Sequence, residues 1–179
     1  MKKVLLIIIC LLFVSSLYAF RAGTASIDGT VAYVSYKYDK DNDDPTNVII
    51  INPSLSYFLM DNIAVDGLFE YVNANNDSWE DPETEMKIGV GGRIFFGSLY
   101  GGAGVLFTSN KDGSNDHSGT YLRIVAGYLL PIVENVYFDI AGMYQMGMGK
   151  YGGDMSDYDN KEAELIIGGG IAVFFDTGR

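Results

Sequence analysis

Cysteine is almost absent from this chain of 179 residues, whose single one, Cys10, lies in the first apolar stretch. Secreted domains held together by disulfides need paired cysteines, so that class is excluded. Proline is scarce, with 4 in the chain, and beyond the N-terminal stretch no apolar run is long enough for a membrane-spanning helix. The body of the chain must therefore fold without disulfides and without a helical anchor.

Basic residues are also few: 12 Lys and Arg stand against 23 Asp and Glu, for a net charge of −11. This balance argues against nucleic-acid binding, which needs a basic patch. Aromatic residues and glycine are abundant instead, with 13 Tyr, 10 Phe and 22 Gly, a composition typical of all-β proteins. Mean hydropathy is +0.12, high for an acidic chain, so charged and apolar residues must be segregated.

Residues 1–19 have the organisation of a secretory signal peptide. Lys2-Lys3 forms the basic region, Val4–Val14 the apolar region, and Ser15–Ala19 a cleavage segment that ends in a small residue. An uncleaved membrane anchor is disfavoured because the apolar region is shorter than a full span. Cleavage after this segment would leave one domain, residues 20–179.

The rest of the chain alternates between apolar and polar residues with a period of two, which marks strands between unlike environments. The clearest case is a hairpin around Asp61-Asn62, a dipeptide suited to a tight turn. Its apolar face carries Leu55, Tyr57, Leu59, Val65, Phe69 and Tyr71. The acid-Asn-aliphatic pattern of Asp61–Asp66 returns at Glu134–Asp139. The acid opposite the apolar side chains needs water or a charged partner, because burying it alone is too costly.

Eight such strands can be traced, and their connections alternate between long polar loops and short turns. This pattern predicts an all-β fold, an eight-stranded antiparallel up-and-down transmembrane β-barrel with its long loops at one end. Pro53 predicts a local break in the second strand. The predicted strands are Ala25–Tyr38, Asn47–Leu59, Ile63–Asn73, Thr84–Phe96, Leu99–Thr108, Thr120–Leu130, Asn135–Met148 and Glu162–Phe175. The short turns are Asp61-Asn62, Gly97-Ser98 and Pro131–Glu134, and the later long loops are Asn75–Pro82, Ser109–Ser118 and Gly149–Asn160.

The polar strand faces are predicted to line the barrel interior, and the apolar faces to meet lipid, because a soluble barrel would have the opposite arrangement. The inward charges are Asp28, Asp66, Glu70, Glu85, Lys87, Arg93, Arg123, Asp139 and Glu164. They could form a gated pore or proton path. A salt-bridged plug is favoured, because the interior of an eight-stranded barrel is just wide enough to be filled by side chains.

Three stretches, Tyr57–Val65, Leu129–Asp139 and Gly168–Phe175, together with the signal peptide, resemble the small outer-membrane β-barrel proteins of Gram-negative bacteria, the OmpA/OmpX/OmpW-like domain. The resemblance implies a location in the bacterial outer membrane, reached by secretion across the inner membrane. It also implies contact with outer-membrane lipid and lipopolysaccharide, and an assembly signal in the last strand read by the barrel-assembly machinery. The residues that match this signal are Gly170, Val173 and Phe175. The chain departs from the pattern at its polar position, which is Gly168, and by continuing past the final aromatic residue.

Several residues outside the predicted strands are candidate sites. Asp39–Asp43 begins like a calcium-binding loop but lacks the Gly and Glu that complete one, so a solvated acidic loop is favoured. His117-Ser118 could suggest a lipid esterase, but the pair is predicted to lie in a loop and adjacent strand residues point to opposite faces. The fourth loop offers the acids Asp154, Asp157 and Asp159 for weak divalent-cation binding. Trp79, Tyr151 and Tyr158 are predicted to be exposed aromatics that contact a surface partner or pack at the interface.

The expected function is therefore non-enzymatic, without cofactor or bound metal. A structural or surface role is favoured, in which acidic extracellular loops contact a partner outside the cell. The alternative is a narrow channel for small solutes across the outer membrane, and a lipid-modifying enzyme is disfavoured.

Overall fold

The computed structural model describes residues 20–36, 45–76, 82–112, 115–153 and 156–177, and the predicted signal peptide lies outside them. Eight antiparallel strands form one closed barrel, in which each strand bonds to its neighbours in sequence and the last bonds to the first. The all-β, eight-stranded up-and-down fold is thereby confirmed. The strands are β1 (Thr24–Tyr36), β2 (Thr46–Met60), β3 (Ile63–Asn75), β4 (Glu83–Phe96), β5 (Leu99–Asp112), β6 (Asn115–Val133), β7 (Val136–Gly153) and β8 (Ala163–Asp176).

Three two-residue turns close one end of the barrel, at Asp61-Asn62, Gly97-Ser98 and Glu134-Asn135. Asn62, Gly97 and Asn135 have φ values of 64°, 64° and 61°, in the left-handed region where Gly and Asn are favoured. The first two turns are confirmed. The turn predicted at Pro131–Glu134 is wrong, because β6 continues through Pro131 with a register shift before Val133.

The opposite end of the barrel extends further than its polar sequence suggested. The loop predicted at Ser109–Ser118 is wrong: β5 and β6 continue as a ladder to the pair Asp112–Asn115. Polar side chains do not prevent this pairing, because a ladder is made by backbone groups. His117 and Ser118 consequently lie in strand β6, as adjacent residues.

The fourth predicted loop is also shortened, because β7 continues to Gly153. Tyr151, predicted to be exposed, is buried within that strand, whereas Tyr158 is 64% exposed. Asp157 and Asp159 are exposed. The acidic loop Asp39–Asp43, together with Trp79 and Asp154, lies outside the described residues.

Pro53 interrupts the ladder between β2 and β3, as predicted. Pairing stops at Ile51–Tyr71 and resumes in the same register at Ser54–Leu68. Because proline has no N–H, the hydrogen bond that position 53 would donate to the strand opposite cannot form. The ladder to β1 is continuous at this position, where Pro53 faces Gly29.

Closure of the barrel between β1 and β8 depends on glycine at position 170. A Cβ there would overlap the carbonyl group of Gly29 on the neighbouring strand. Gly170→Ala is therefore expected to cost about 1–3 kcal/mol and to reduce the yield of closed barrel. The measurement is the fraction of refolded chain that gives a compact, heat-sensitive band on a gel. Gly142→Ala is the matched control, because a Cβ at Gly142 meets nothing within 4 Å; equal yields for the two variants would contradict the prediction.

Candidate functional site: the charged lumen

A first layer of ion pairs surrounds Arg93 on β4. Its guanidinium donates to Asp28 on β1 at 2.7 Å and to Asp66 on β3 at 3.0 and 3.1 Å. Two hydroxyls of β2 complete the layer: Ser56 accepts from Arg93, and Ser54 donates to Asp28. Arg93 is 6% exposed and both its carboxylate partners are buried. One cation thus joins four strands, with two carboxylates as its partners.

A second layer, nearer the long-loop end, surrounds Glu70 on β3, which is 0% exposed. Its carboxylate pairs with Arg123 on β6 and with Lys87 on β4, at 2.9 Å, and accepts a hydrogen bond of 2.7 Å from Gln145. Arg123 also donates to Asn52 at 3.0 Å. Lys87 lies 3.2 Å from Glu85 and 3.7 Å from Glu164, so its charge is shared by three carboxylates.

Asp139 on β7 is the remaining buried acid, and its partner is a tyrosine. The Tyr100 hydroxyl donates to the Asp139 carboxylate, with both oxygens at 2.9 Å. The tyrosine ring lies under the Arg93 guanidinium, 5.2 Å from its centroid. A Cβ at Gly127 would overlap this ring, so glycine at that position leaves the space that Tyr100 occupies.

All nine inward charges named from the sequence lie on the inner face, where each of the three cations pairs with at least one of the acids. Sequence reasoning missed Tyr100, because it considered only charged side chains for the barrel interior. The alternation of β5 could have revealed Tyr100, because this residue lies on the same strand face as the inward Leu106 and Thr108.

Aromatic rings fill the short-turn end of the lumen below the ion pairs. Phe20, which precedes the start of β1 by four residues, stacks on Phe174 with ring centroids 4.3 Å apart. It also contacts Phe58 and Phe95, at 5.3 and 5.1 Å, and Tyr137 at 6.1 Å. Sequence reasoning did not assign Phe20 a role, because it precedes the first alternating segment.

The Phe20 backbone is held by the first short turn. Its N–H donates to Asn62 Oδ1 at 3.1 Å, and the Asn62 N–H donates back to the Phe20 carbonyl at 2.8 Å. The Ala22 N–H donates to Asp61 Oδ1 at 2.9 Å. The segment from Phe20 to β1 is therefore folded across the barrel mouth.

Little space remains between the two ion layers. The cavity bounded by residues such as Asp28, Arg93, Tyr100 and Asp139 has a volume of about 40 Å³, enough for only a few water molecules. The arrangement is that of a filled lumen, with ion pairs in its middle and aromatic rings at its short-turn end.

The three residues matched to an assembly signal lie on two faces of β8. Gly170 is on the inner face, against β1, while Val173 and Phe175 are on the outer face, and Phe175 is 46% exposed. The two apolar side chains of the matched signal, Val173 and Phe175, are therefore accessible from outside the barrel.

In the part of the chain that the structure describes, no helix is long and apolar enough to cross a membrane. Among those same residues, no group of three or more His, Cys, Asp or Glu side chains is arranged to hold a metal ion. No protein-family model matches the chain, and no curated protein matches it in sequence.

Proposed function

We propose that the chain is an integral outer-membrane β-barrel with a closed lumen, whose role is structural or surface-interacting and involves no catalysis. The observation that carries this proposal is the polarity of the wall: charges lie inside the barrel and apolar side chains outside. Soluble barrels have the reverse arrangement, since water solvates their outer face. Hydrocarbon around the barrel removes the cost of exposing its apolar side chains.

The outer face is apolar over most of the height of every strand. Residues such as Ile88, Val90 and Ile167 are 61%, 63% and 72% exposed. In each described strand, no outward residue is charged from the short-turn end up to a limit near the long-loop end. In strand order from β1 to β8, these upper limits are Tyr33, Ile49, Tyr71, Met86, Phe107, Leu122, Met146 and Leu165. An apolar surface that encircles a protein is far larger than the patches of soluble monomers.

Aromatic side chains lie at both edges of this belt, as they do at the two interfaces of membrane barrels. The outward aromatics towards the long-loop end are Tyr33, Tyr71, Phe107 and Tyr144, and those towards the short-turn end are Tyr57, Phe96, Tyr128, Phe138 and Phe175. Closure of the β1–β8 seam from Thr24–Asp176 to Val31–Gly169 supports the same environment, because lipid tolerates no unpaired sheet edge deep in its core.

The filled lumen favours contacts at the barrel ends over transport. The long-loop segments are acidic in sequence, for example Asp39–Asp44, which suits contact with a cationic surface or a cation-bridged lipopolysaccharide headgroup. Lipid of the outer membrane and the barrel-assembly machinery are the partners that this location requires. A surface partner outside the cell is the target to search for.

The refolded barrel is expected to enter lipid bilayers and to show no stable conductance, because its lumen holds ion pairs and aromatic rings. Folding is checked first by a compact gel band that disappears on boiling, and insertion by protection of the strands from protease in vesicles. Single-channel recording in a planar bilayer then measures conductance.

The outcomes separate the two parts of the proposal. A folded barrel that stays in the aqueous phase would overturn the membrane assignment. Reproducible open events from an inserted barrel would instead establish the narrow-channel alternative, and changes of conductance in Arg123→Met would then place the path through the ion layers.

A further inference from the structure

The barrel seam opens at its long-loop end, between the first and last strands. Hydrogen-bonded pairing of β1 with β8 ends at Val31–Gly169. Both strands continue past that pair, β1 to Tyr36 and β8 back to Ala163. Along this length the described ladders pair β1 with β2 and β8 with β7, and leave the facing backbone edges of β1 and β8 unpaired.

A cleft of about 410 Å³ lies at this opening, a size typical of small-molecule sites. Its inner wall is apolar, in contrast to the charged lumen below it. The inward residues of this wall are Ala32, Val34, Val48, Ile50, Val72, Ala74 and Ile166. Ile50 and Ile166 are buried and pack together with Met143. An apolar wall inside a barrel that is otherwise polar inside calls for an apolar occupant.

The cleft is closed below and open at its side. The Glu70 ion layer, with Lys87 and Arg123, fills the lumen beneath it. At the lip, Leu165 and Ile167 point outward and are 69% and 72% exposed. The ion layer therefore forms the floor of the cleft, and the gap between the strands gives access to it from the side.

One carboxylate, that of Glu164, lines the cleft. Its side chain is 40% exposed, and its nearest cation, Lys87, lies 3.7 Å away. Lys87 is closer to Glu70 and to Glu85, at 2.9 and 3.2 Å, so it neutralises Glu164 only in part. The unpaired strand edges expose backbone N–H groups as well as carbonyls, so Glu164 alone sets the sign of the charge at the cleft wall. This carboxylate favours a cationic donor.

We propose that this cleft binds a small apolar organic cation, with the hydrocarbon body against Ile50 and Ile166 and the ammonium group at Glu164. The site is separate from the filled lumen and adds a ligand-binding activity to the proposed closed barrel. Charge complementarity selects the cation over a neutral or anionic molecule of the same shape.

Three probes with one rigid hydrocarbon body test the proposal: 1-adamantylamine, 1-adamantanol and 1-adamantanecarboxylate. Each is titrated into the refolded barrel in lipid nanodiscs, and binding is followed by amide chemical shifts of β1 and β8. The amine is expected to bind saturably and more tightly than the alcohol, and the carboxylate not to bind. Glu164→Gln is expected to remove the preference for the amine over the alcohol.

Filling the cleft provides the second arm. Ala32→Phe and Ala74→Leu, both on the inner wall, are each expected to weaken amine binding by about tenfold or more, which is about 1.4 kcal/mol. Ala126→Phe is the matched control, because Ala126 lies on the outer face of β6 and is exposed. Compact, heat-sensitive gel bands show which variants fold. If one filling variant does not fold, the other still tests the proposal.

The proposal is overturned if no probe binds saturably to the folded barrel, if the carboxylate binds as well as the amine, or if a folded filling variant binds unchanged. Membrane insertion is measured separately by protease protection, so a failure of an inserted barrel to bind is distinguishable from a failure of the membrane assignment.

Discussion

Replacement of Arg93 by methionine is expected to lower the free energy of unfolding by about 3–5 kcal/mol, the usual cost of removing one partner from a buried ion network. The guanidinium holds Asp28 and Asp66 together inside the barrel, at 2.7 and 3.0 Å. Without it, two nearby carboxylates would remain in a cavity with room for only a few waters. Methionine keeps most of the side-chain volume, so the loss reports on charge and hydrogen bonding.

The measurement is the urea midpoint of unfolding, followed by loss of the compact gel band in lipid. Arg21→Met is the control, because Arg21 is exposed beyond the barrel mouth. Adding Asp28→Asn and Asp66→Asn to Arg93→Met is expected to restore part of the stability, since the uncompensated charges are then gone. An unchanged midpoint for Arg93→Met would show that the layer is solvated, and would remove the argument for a rigid plug.

Replacement of Phe20 by alanine is expected to open the short-turn end of the lumen. The Phe20 ring contacts four other aromatic rings, and its loss leaves a cavity at the mouth, at a cost of about 3 kcal/mol. Ala64, which is 1% exposed, belongs to the same buried cluster. The Phe20 ring is a member of that cluster and is expected to shield Ala64 from a reagent on the short-turn side.

Thiol labelling measures this opening directly, because the only cysteine of the chain is Cys10, within the predicted signal peptide. Ala64→Cys is expected to resist a small water-soluble thiol reagent, and to react at least about tenfold faster in combination with Phe20→Ala, because protection tracks the population of the open form. Phe138→Ala is the control, since that ring lies on the outer face and is 39% exposed. Continued protection in the folded Phe20→Ala variant would assign closure of this end to the remaining rings and the Arg93 layer.

The two variants test two different parts of the structure that fill the lumen, the Arg93 ion layer and the aromatic rings around Phe20. Suppose that Arg93→Met lowers the stability, but that adding it to Ala64→Cys does not speed labelling of the introduced thiol. The ion layer would then hold the wall together while the aromatic rings exclude solvent. Opening in Phe20→Ala without conductance would show that the ion layers still block the path. Either result tells which part of the lumen to alter when the narrow-channel alternative is examined.

Alternation was sufficient to predict the barrel and the faces of its strands. A strand exposes successive side chains to opposite sides, so Asp66 and Glu70 had to lie opposite Val65 and Phe69. The turn at Asn62 was readable for a similar local reason, because few residues tolerate its backbone conformation. Strand ends were less readable: the polar residues of the β5–β6 hairpin do not decide whether a backbone ladder continues.

Partners inside the barrel could not be predicted from the order of residues. Which acids meet Arg93 depends on the stagger of the strands around the barrel, which brings together residues 65 positions apart, such as Asp28 and Arg93. The same stagger places Tyr100 beside Asp139 and ends the β1–β8 ladder at Val31. Phe20 fills the barrel mouth because the turn at Asn62 captures its backbone. Local periodicity therefore specifies which side of the wall a residue occupies, whereas barrel closure specifies what it contacts there.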